Sequence, residues 1–306
     1  MNRKHFCIII AAFFILSVSA LAQRDEQALK RETQKSDDKL RLETKLVSMT
    51  VSVTDRYGRM VTGLERDNFE IYDDDVRQDI AIFSNEDAPV TLGIVYDISG
   101  SMSDLTAASF QRLRQFFKTS HEDDEYFIIA FSNKPKLVQD FTVSPNEILN
   151  RVIFVKAGGN TALYDAVYLA VEKVRQGRHQ KKALLLLSDG LENNSRYSGK
   201  ELNALLKESD AQVFTVGLSE GSDGAYTLKT LAQWSGGKAF FPADDNEMGD
   251  LYTQMALMLR HQYVLGFYPT DTRSGTRWHN LQVKMKAPRQ LGRLSLFYKK
   301  GYQSFR

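Results

Sequence analysis

Between residues 90 and 260 the chain alternates short, wholly apolar runs with amphipathic ones, and few folds accept that pattern. Val90-Thr-Leu-Gly-Ile-Val-Tyr96, Tyr126-Phe-Ile-Ile-Ala-Phe131, Ala183-Leu-Leu-Leu-Leu187 and Val213-Phe-Thr-Val216 lack the period-two alternation of a half-exposed strand. A strand that is apolar throughout has to be covered on both faces. The segments between them space their apolar residues by three and four. Residues 107–117 do so with Phe110, Leu113, Phe116 and Phe117, and residues 162–174 with Leu163, Ala166, Val167, Ala170, Val171 and Val174. Residues 202–206, 228–234 and 246–260 also read as helical, 137–143 as a short edge strand and 239–241 as a short strand. Strands alternating with helices predict an α/β fold with a doubly wound, mostly parallel sheet.

The flanks have β character. Leu46-Val-Ser-Met-Thr-Val-Ser-Val53 alternates apolar and polar residues, and Phe69–Tyr72 and Ile80–Phe83 read as further short strands. Tyr263–Tyr268, Trp278–Lys286 and Arg293–Tyr298 are the corresponding strands of the tail. Isolated three-stranded pieces are marginal and chain termini tend to lie close together. We therefore expect one small β-sandwich formed from N- and C-terminal strands, with the α/β unit inserted between them. Two separate β modules are the alternative. Asp73-Asp-Asp75 reads as a hairpin turn with solvated carboxylates, since the other spaced ligands of a calcium loop are missing.

The expected organisation is then a signal peptide (1–22), a charged linker (23–41), N-terminal β-strands (42–87), the α/β domain (88–260) and C-terminal β-strands (261–306). The signal rests on the basic Arg3-Lys4, an apolar run from Phe6 to Leu16 and small residues ending at Ala22, where cleavage is expected. The apolar run is shorter than the roughly 20 residues that span a bilayer. No later stretch is long and apolar enough to span one, so no transmembrane helix is expected in the mature chain. Loss of Arg3 and Lys4 lowers 40 basic residues to 38, equal to the 38 acidic ones. With no net charge and no basic cluster interleaved with aromatics, nothing points to nucleic acid. The sole cysteine, Cys7, lies in the signal, so the mature chain forms no disulfide. An exported protein, periplasmic or extracellular, is expected.

In doubly wound sheets ligands bind at the carboxyl ends of the strands, where strand order reverses. Three loops carry oxygen donors to that edge. Asp97-Ile-Ser99-Gly-Ser101 follows the first apolar strand, Gly158-Gly-Asn-Thr161 precedes a helix for which Thr161 is a natural N-cap, and Ser188-Asp189-Gly190 follows Leu187. The ligand set Asp97, Ser99, Ser101, Thr161 and Asp189 offers two carboxylates and three hydroxyls. Hard oxygen donors suit Mg²⁺, with Mn²⁺ or Ca²⁺ as alternatives, and not Zn²⁺, which prefers nitrogen and sulfur. Neutral Ser and Thr ligands leave the metal electrophilic, and a partner's Asp or Glu could displace its water. Asn160 and Glu192 are neighbours of the ligands in sequence, as supporting or merely solvated residues.

Asp-x-Ser-x-Ser, then Thr after Gly-Gly-Asn, then Asp-Gly after an apolar strand, resembles the von Willebrand factor A family across residues 88–260. The resemblance implies that these five residues form a metal-ion-dependent adhesion site. Val51-Ser-Val-Thr-Asp55-Arg-Tyr-Gly58, Asn68-Phe69-Glu-Ile-Tyr72 and Tyr263-Val-Leu-Gly-Phe-Tyr-Pro269 are similar to the exported "VWFA-related" proteins described in Acidobacteria. The expected function is non-enzymatic: a cation held by the domain captures a carboxylate of a protein partner in adhesion or envelope assembly. The alternative is a structural factor of the envelope in which the metal only stabilises the fold. No catalytic residue is expected, because His121, His179, His261 and His279 lie in no metal-binding or triad motif and no phosphate loop or nucleophile elbow is present.

Overall fold

The computed structural model describes residues 46–105, 113–152, 157–242, 245–271, 277–286 and 289–304. The expected signal peptide and charged linker, and most of the 107–117 helix, lie outside the described residues; residues 113–117 are helical.

A six-stranded sheet forms the centre of the α/β unit, in the order β10-β9-β8-β5-β6-β7. It is built from β5 (Val90–Asp97), β6 (Glu125–Phe131), β7 (Pro135–Thr142), β8 (Lys181–Leu187), β9 (Gln212–Val216) and β10 (Ala239–Phe240). All neighbours are parallel except β7, which runs antiparallel on β6 as the edge strand. The helices are α1 (Pro145–Val152), α2 (Leu163–Val174), α3 (Gly199–Glu208), α4 (Ala225–Ser235) and α5 (Asp245–Arg260). Both faces of the sheet are covered, as the apolar runs require. Leu92, Ile94 and Tyr96 pack on one side with Met255, Ala256 and Leu259 of α5. Val95, Phe127 and Leu184 pack on the other with α2 and α4. Gly93 is what lets two of those side chains close over β5: a Cβ there would stand 2.2 Å from Phe127 and 2.7 Å from Leu184.

Two four-stranded antiparallel sheets make the second unit, in the orders β13-β1-β11-β4 and β14-β12-β2-β3. Each mixes strands from both ends of the chain. β1 (Val47–Thr54) pairs with β11 (Tyr263–Phe267) through its first half and with β13 (Ser295–Phe297) through its second. β2 (Phe69–Asp73) pairs with β12 (Trp278–Met285). The inner faces share one core that includes Val51, Val53, Ile71, Phe267, Leu281 and Val283. The expected α/β sheet flanked by a sandwich of N- and C-terminal strands is therefore the observed architecture.

Two details differ from expectation. The Asp73–Asp75 turn does not lead to the strand at Ile80. It closes a hairpin between β2 and a three-residue strand, β3 (Val76–Gln78), whereas β4 (Ile80–Ser84) crosses to the other sheet and pairs with β11. Asp74 and Asp75 adopt φ of 45° and 67°, the left-handed pair a tight hairpin turn uses. Asp73, however, is buried and not solvated. A short final strand, β14 (Gly301–Gln303), completes the second sheet beside β12.

Candidate metal centre

Strand order reverses between β5 and β8, since the chain moves from β5 through β6 to one edge and from β8 through β9 to the other. Asp97 ends β5 and Asp189 follows β8 by two residues, so the two carboxylates flank the switch point. Both are buried, as are Ser99 and Thr161, while Ser101 is exposed.

Hydrogen bonds lace the three loops together. Ser188 Oγ donates to Asp97 Oδ2 at 2.5 Å, joining the first and third loops. Gly158 N donates to Ile98 O at 2.7 Å and Gly100 N to Gly159 O at 3.1 Å, joining the first and second. Asn193 Oδ1 accepts from Thr161 N at 2.9 Å, and the amides of Asn193 and Asn194 both donate to Thr161 O at 3.1 Å, joining the second and third. Within the first loop, Asp97 Oδ1 accepts from Ser99 N at 2.8 Å, and Ser99 Oγ lies 3.2 Å from Ser101 Oγ. The Asp189 turn is seated by bare backbone. Gly190 has φ +82°, and a Cβ on it would stand 2.3 Å from Gly224 O at the start of α4.

Thr161 is not the cap of the following helix. The N-cap position of α2 is Ala162, with no side-chain cap bond of its own. The orphan amides of the first turn are instead satisfied from the third loop: Tyr164 N donates to Glu192 Oε2 at 2.9 Å and Asp165 N to Ser195 Oγ at 3.1 Å. Glu192 also accepts from Asn194 N, Ser195 N and Ser195 Oγ at 3.0, 2.9 and 2.7 Å. Glu192 is thus engaged by backbone and hydroxyl donors and not simply solvated. It braces the third loop against the positive end of α2. Asn160 is held through its backbone, its N–H donating to Asn133 Oδ1 at 2.8 Å.

Burial pushes the Asp97 carboxyl above the ordinary carboxylate range and the nearby Asp189 charge adds to the shift, while hydrogen bonds from Ser188 and Ser99 pull the other way. A buried carboxylate set close to a second one is only partly compensated by hydrogen bonds, and a cation would supply the rest. An all-oxygen donor set around such a pair therefore fits a hard divalent cation.

A second group of side chains of metal-ligating types lies at the hairpin of the sandwich: Asp73, Asp74 and His279. Sequence spacing gave no sign of it, because His279 comes from β12, beyond the whole inserted α/β unit.

The sequence profile described as "von Willebrand factor type A domain" matches residues 92–192. The chain therefore carries a von Willebrand factor type A domain, whose matched segment runs from β5 to Glu192 and contains all five expected ligands. Among solved structures, a von Willebrand factor type A protein from Catenulispora acidiphila is 12% identical, with a TM-score of 0.50, over 85% of this chain and 74% of that one. At that identity the likeness is one of fold. The PilB minor pilin from Streptococcus sanguinis is 14% identical over 58% of this chain, with a TM-score of 0.47, and the chain spans 63% of that pilin's length. The vWF domain of the type V pili tip protein Mfa5 from Porphyromonas gingivalis is 12% identical with a TM-score of 0.45, over 56% of this chain and 96% of that domain. No curated protein matches the sequence.

Proposed function

We propose that the α/β unit is a non-enzymatic, metal-dependent protein-binding module of an exported protein, periplasmic or extracellular, acting in adhesion or envelope assembly. The observation that carries this reading is the pair of buried carboxylates, Asp97 and Asp189, at the switch point, with three loops tied together around them. Asp97, Ser99, Ser101, Thr161 and Asp189 are the residues that would hold Mg²⁺, or Mn²⁺ or Ca²⁺ in its place. When bound, the ion supplies a hard Lewis acid that accepts a carboxylate oxygen from an Asp or Glu of the partner protein. Among the described residues, the groups hydrogen-bonded to Asp97 are hydroxyls and an amide, which favours binding over hydrolysis.

The same edge carries apolar surface. Leu191 in the third loop, Leu218 just past β9 and Tyr226 at the start of α4 are all exposed. Exposed apolar side chains around a polar centre are what a protein interface uses for affinity, the metal then fixing register. Export rests on the N-terminal signal features, and among the described residues no helix is long and apolar enough to cross a membrane. The flanking strands support placement with the exported "VWFA-related" group.

The test is capture of envelope proteins on immobilised chain with Mg²⁺, with EDTA and with Asp97→Ala. Capture that needs Mg²⁺ and Asp97 is expected, and capture unchanged in all three settings would sink the proposal. The competing reading, a structural envelope factor whose metal only stabilises the fold, has its own support: both sandwich sheets are closed by strands from either side of the insertion. Mg²⁺ raising Tm with no metal-dependent partner would favour it.

A further inference from the structure

The hairpin of the sandwich holds two buried polar atoms without a hydrogen bond among the described residues. Asp73 and His279 are each 4% exposed, and among the described residues Asp73 Oδ1 and His279 Nδ1 have no hydrogen-bond partner. They stand 3.3 Å apart, as an ion pair if the imidazole is protonated. Asp74 Oδ2 lies 3.2 Å from the same His279 Nδ1. Buried polar atoms without partners are rare in folded proteins, and an ion is one of the few explanations for a set of them.

From this cluster we infer a second metal site, separate from the switch-point centre, in which Asp73, Asp74 and His279 bind a transition-metal dication of the zinc class. The donor set decides the class. One imidazole nitrogen with two carboxylates suits Zn²⁺, whereas Mg²⁺ and Ca²⁺ take oxygen alone. The spacing agrees. Zinc bonds of about 2.0–2.1 Å to nitrogen or oxygen give tetrahedral ligand–ligand edges of about 3.3–3.4 Å, and the measured separations are 3.3 and 3.2 Å. Three protein ligands leave a fourth position for water.

The surroundings position the ligands as metal sites require. Tyr302 donates its hydroxyl to Asp73 Oδ2 at 2.8 Å, leaving Oδ1 for the ion. The Tyr302 ring also stacks on the His279 imidazole, with centroids 5.0 Å apart, and fixes its plane. Asp74 Oδ1 accepts from Asn280 N at 2.9 Å, which locks the turn against β12. Arg277 is the competing cation: its Nη2 donates to Asp74 Oδ2 at 3.1 Å. Its side chain is 55% exposed and its other Nη lies 3.9 Å from Asp271, so Asp74 can be shared or yielded.

The experiment is a zinc titration of the full chain by calorimetry, in an Asp97→Ala background that silences the switch-point centre, with Co²⁺ as a spectroscopic probe. One Zn²⁺ equivalent and the intense visible bands of tetrahedral Co²⁺ are expected. Both should be lost in His279→Ala, and Tyr302→Phe should weaken binding about 10–100-fold, as loss of a ligand-orienting partner does. Should His279→Ala fail to fold, Asp74→Asn replaces it, because Asn accepts the left-handed backbone at that turn. Absence of zinc uptake by the Asp97→Ala protein, or uptake unchanged in His279→Ala or Asp74→Asn, would overturn the site.

Discussion

Asp97 and Asp73 make an instructive pair. Each is a buried aspartate at the end of a strand, and in each burial raises the carboxyl above its ordinary range. Asp97 sits among parallel strands, each of which delivers its following loop to the same edge. Its neighbours are therefore the loops after successive strands, and they bond it with a hydroxyl and an amide. Asp73 sits in an antiparallel hairpin, where direction alternates and the neighbour across the ladder comes from β12. One of its oxygens accepts from Tyr302, and the other faces the His279 imidazole at 3.3 Å. Parallel topology gathers a site from positions in regular order, whereas antiparallel pairing across an insertion gathers one from positions without order. The two regions also differ in how their cores are shielded: β5 is buried along its whole length, while β12 alternates buried and exposed residues.

That last difference sets the largest expected effect. Leu185 of β8 is fully buried and Leu281 of β12 is 6% exposed. Leu→Ala in a core costs about 2–5 kcal/mol, more where the cavity cannot collapse. Leu185→Ala should fall at the upper end and Leu281→Ala at the lower, measured by urea unfolding. Equal costs would break the contrast, showing the sandwich to be as tightly enclosed as the parallel sheet.

Gly190→Ala sharpens the comparison at the site. The φ of +82° and the 2.3 Å approach to Gly224 O leave no room for a methyl group. A non-glycine residue held at such a backbone angle costs on the order of 1–3 kcal/mol, and here the contact adds to it. The Asp189 turn should shift, so the Mg²⁺-dependent rise in Tm should fall along with Tm itself. Zinc binding at the sandwich should be untouched. Loss of both metal responses together would mean that the two regions do not act independently.

How much could be read in advance follows the same division. The parallel sheet was legible because strands buried on both faces leave unbroken apolar runs, and two of the three candidate loops, at Asp97 and Asp189, were legible because they follow those runs directly. β3 was not: Val76 and Arg77 are exposed, so three residues carry no pattern. α1 was missed although Ile148, Leu149 and Val152 are buried, because eight residues give barely two turns of periodicity. The cap of α2 was misassigned to Thr161 for a physical reason. Capping rules read neighbours in sequence, and the amides here are met by Glu192 and Ser195 from another loop. The burial of Asp73 was hidden likewise, since three acids in a row look solvated until Tyr302 and His279 are folded over them.

The smallest effect probes the contact between the two regions. Lys299, in the turn between β13 and β14, donates Nζ to Ser209 O at 2.8 Å, just past α3. Burial at that contact drives its ammonium down to about 8 from the usual 10.5, only partly offset by Asp210. The depressed value means that the folded chain holds fewer protons than the unfolded one between about pH 8 and 10.5, so stability rises with pH across that window. Below pH 8 both states are protonated and the cost of the buried charge is felt in full. Other groups titrate as well, so the quantity to measure is the difference in Tm between wild type and Lys299→Met. That difference should move in favour of Lys299 as pH rises from about 7 to 10. Parallel pH profiles would show that the ammonium is hydrated in solution. The sandwich would then touch the α/β unit there through water, and the two regions would be less tightly joined than their shared chain connections imply.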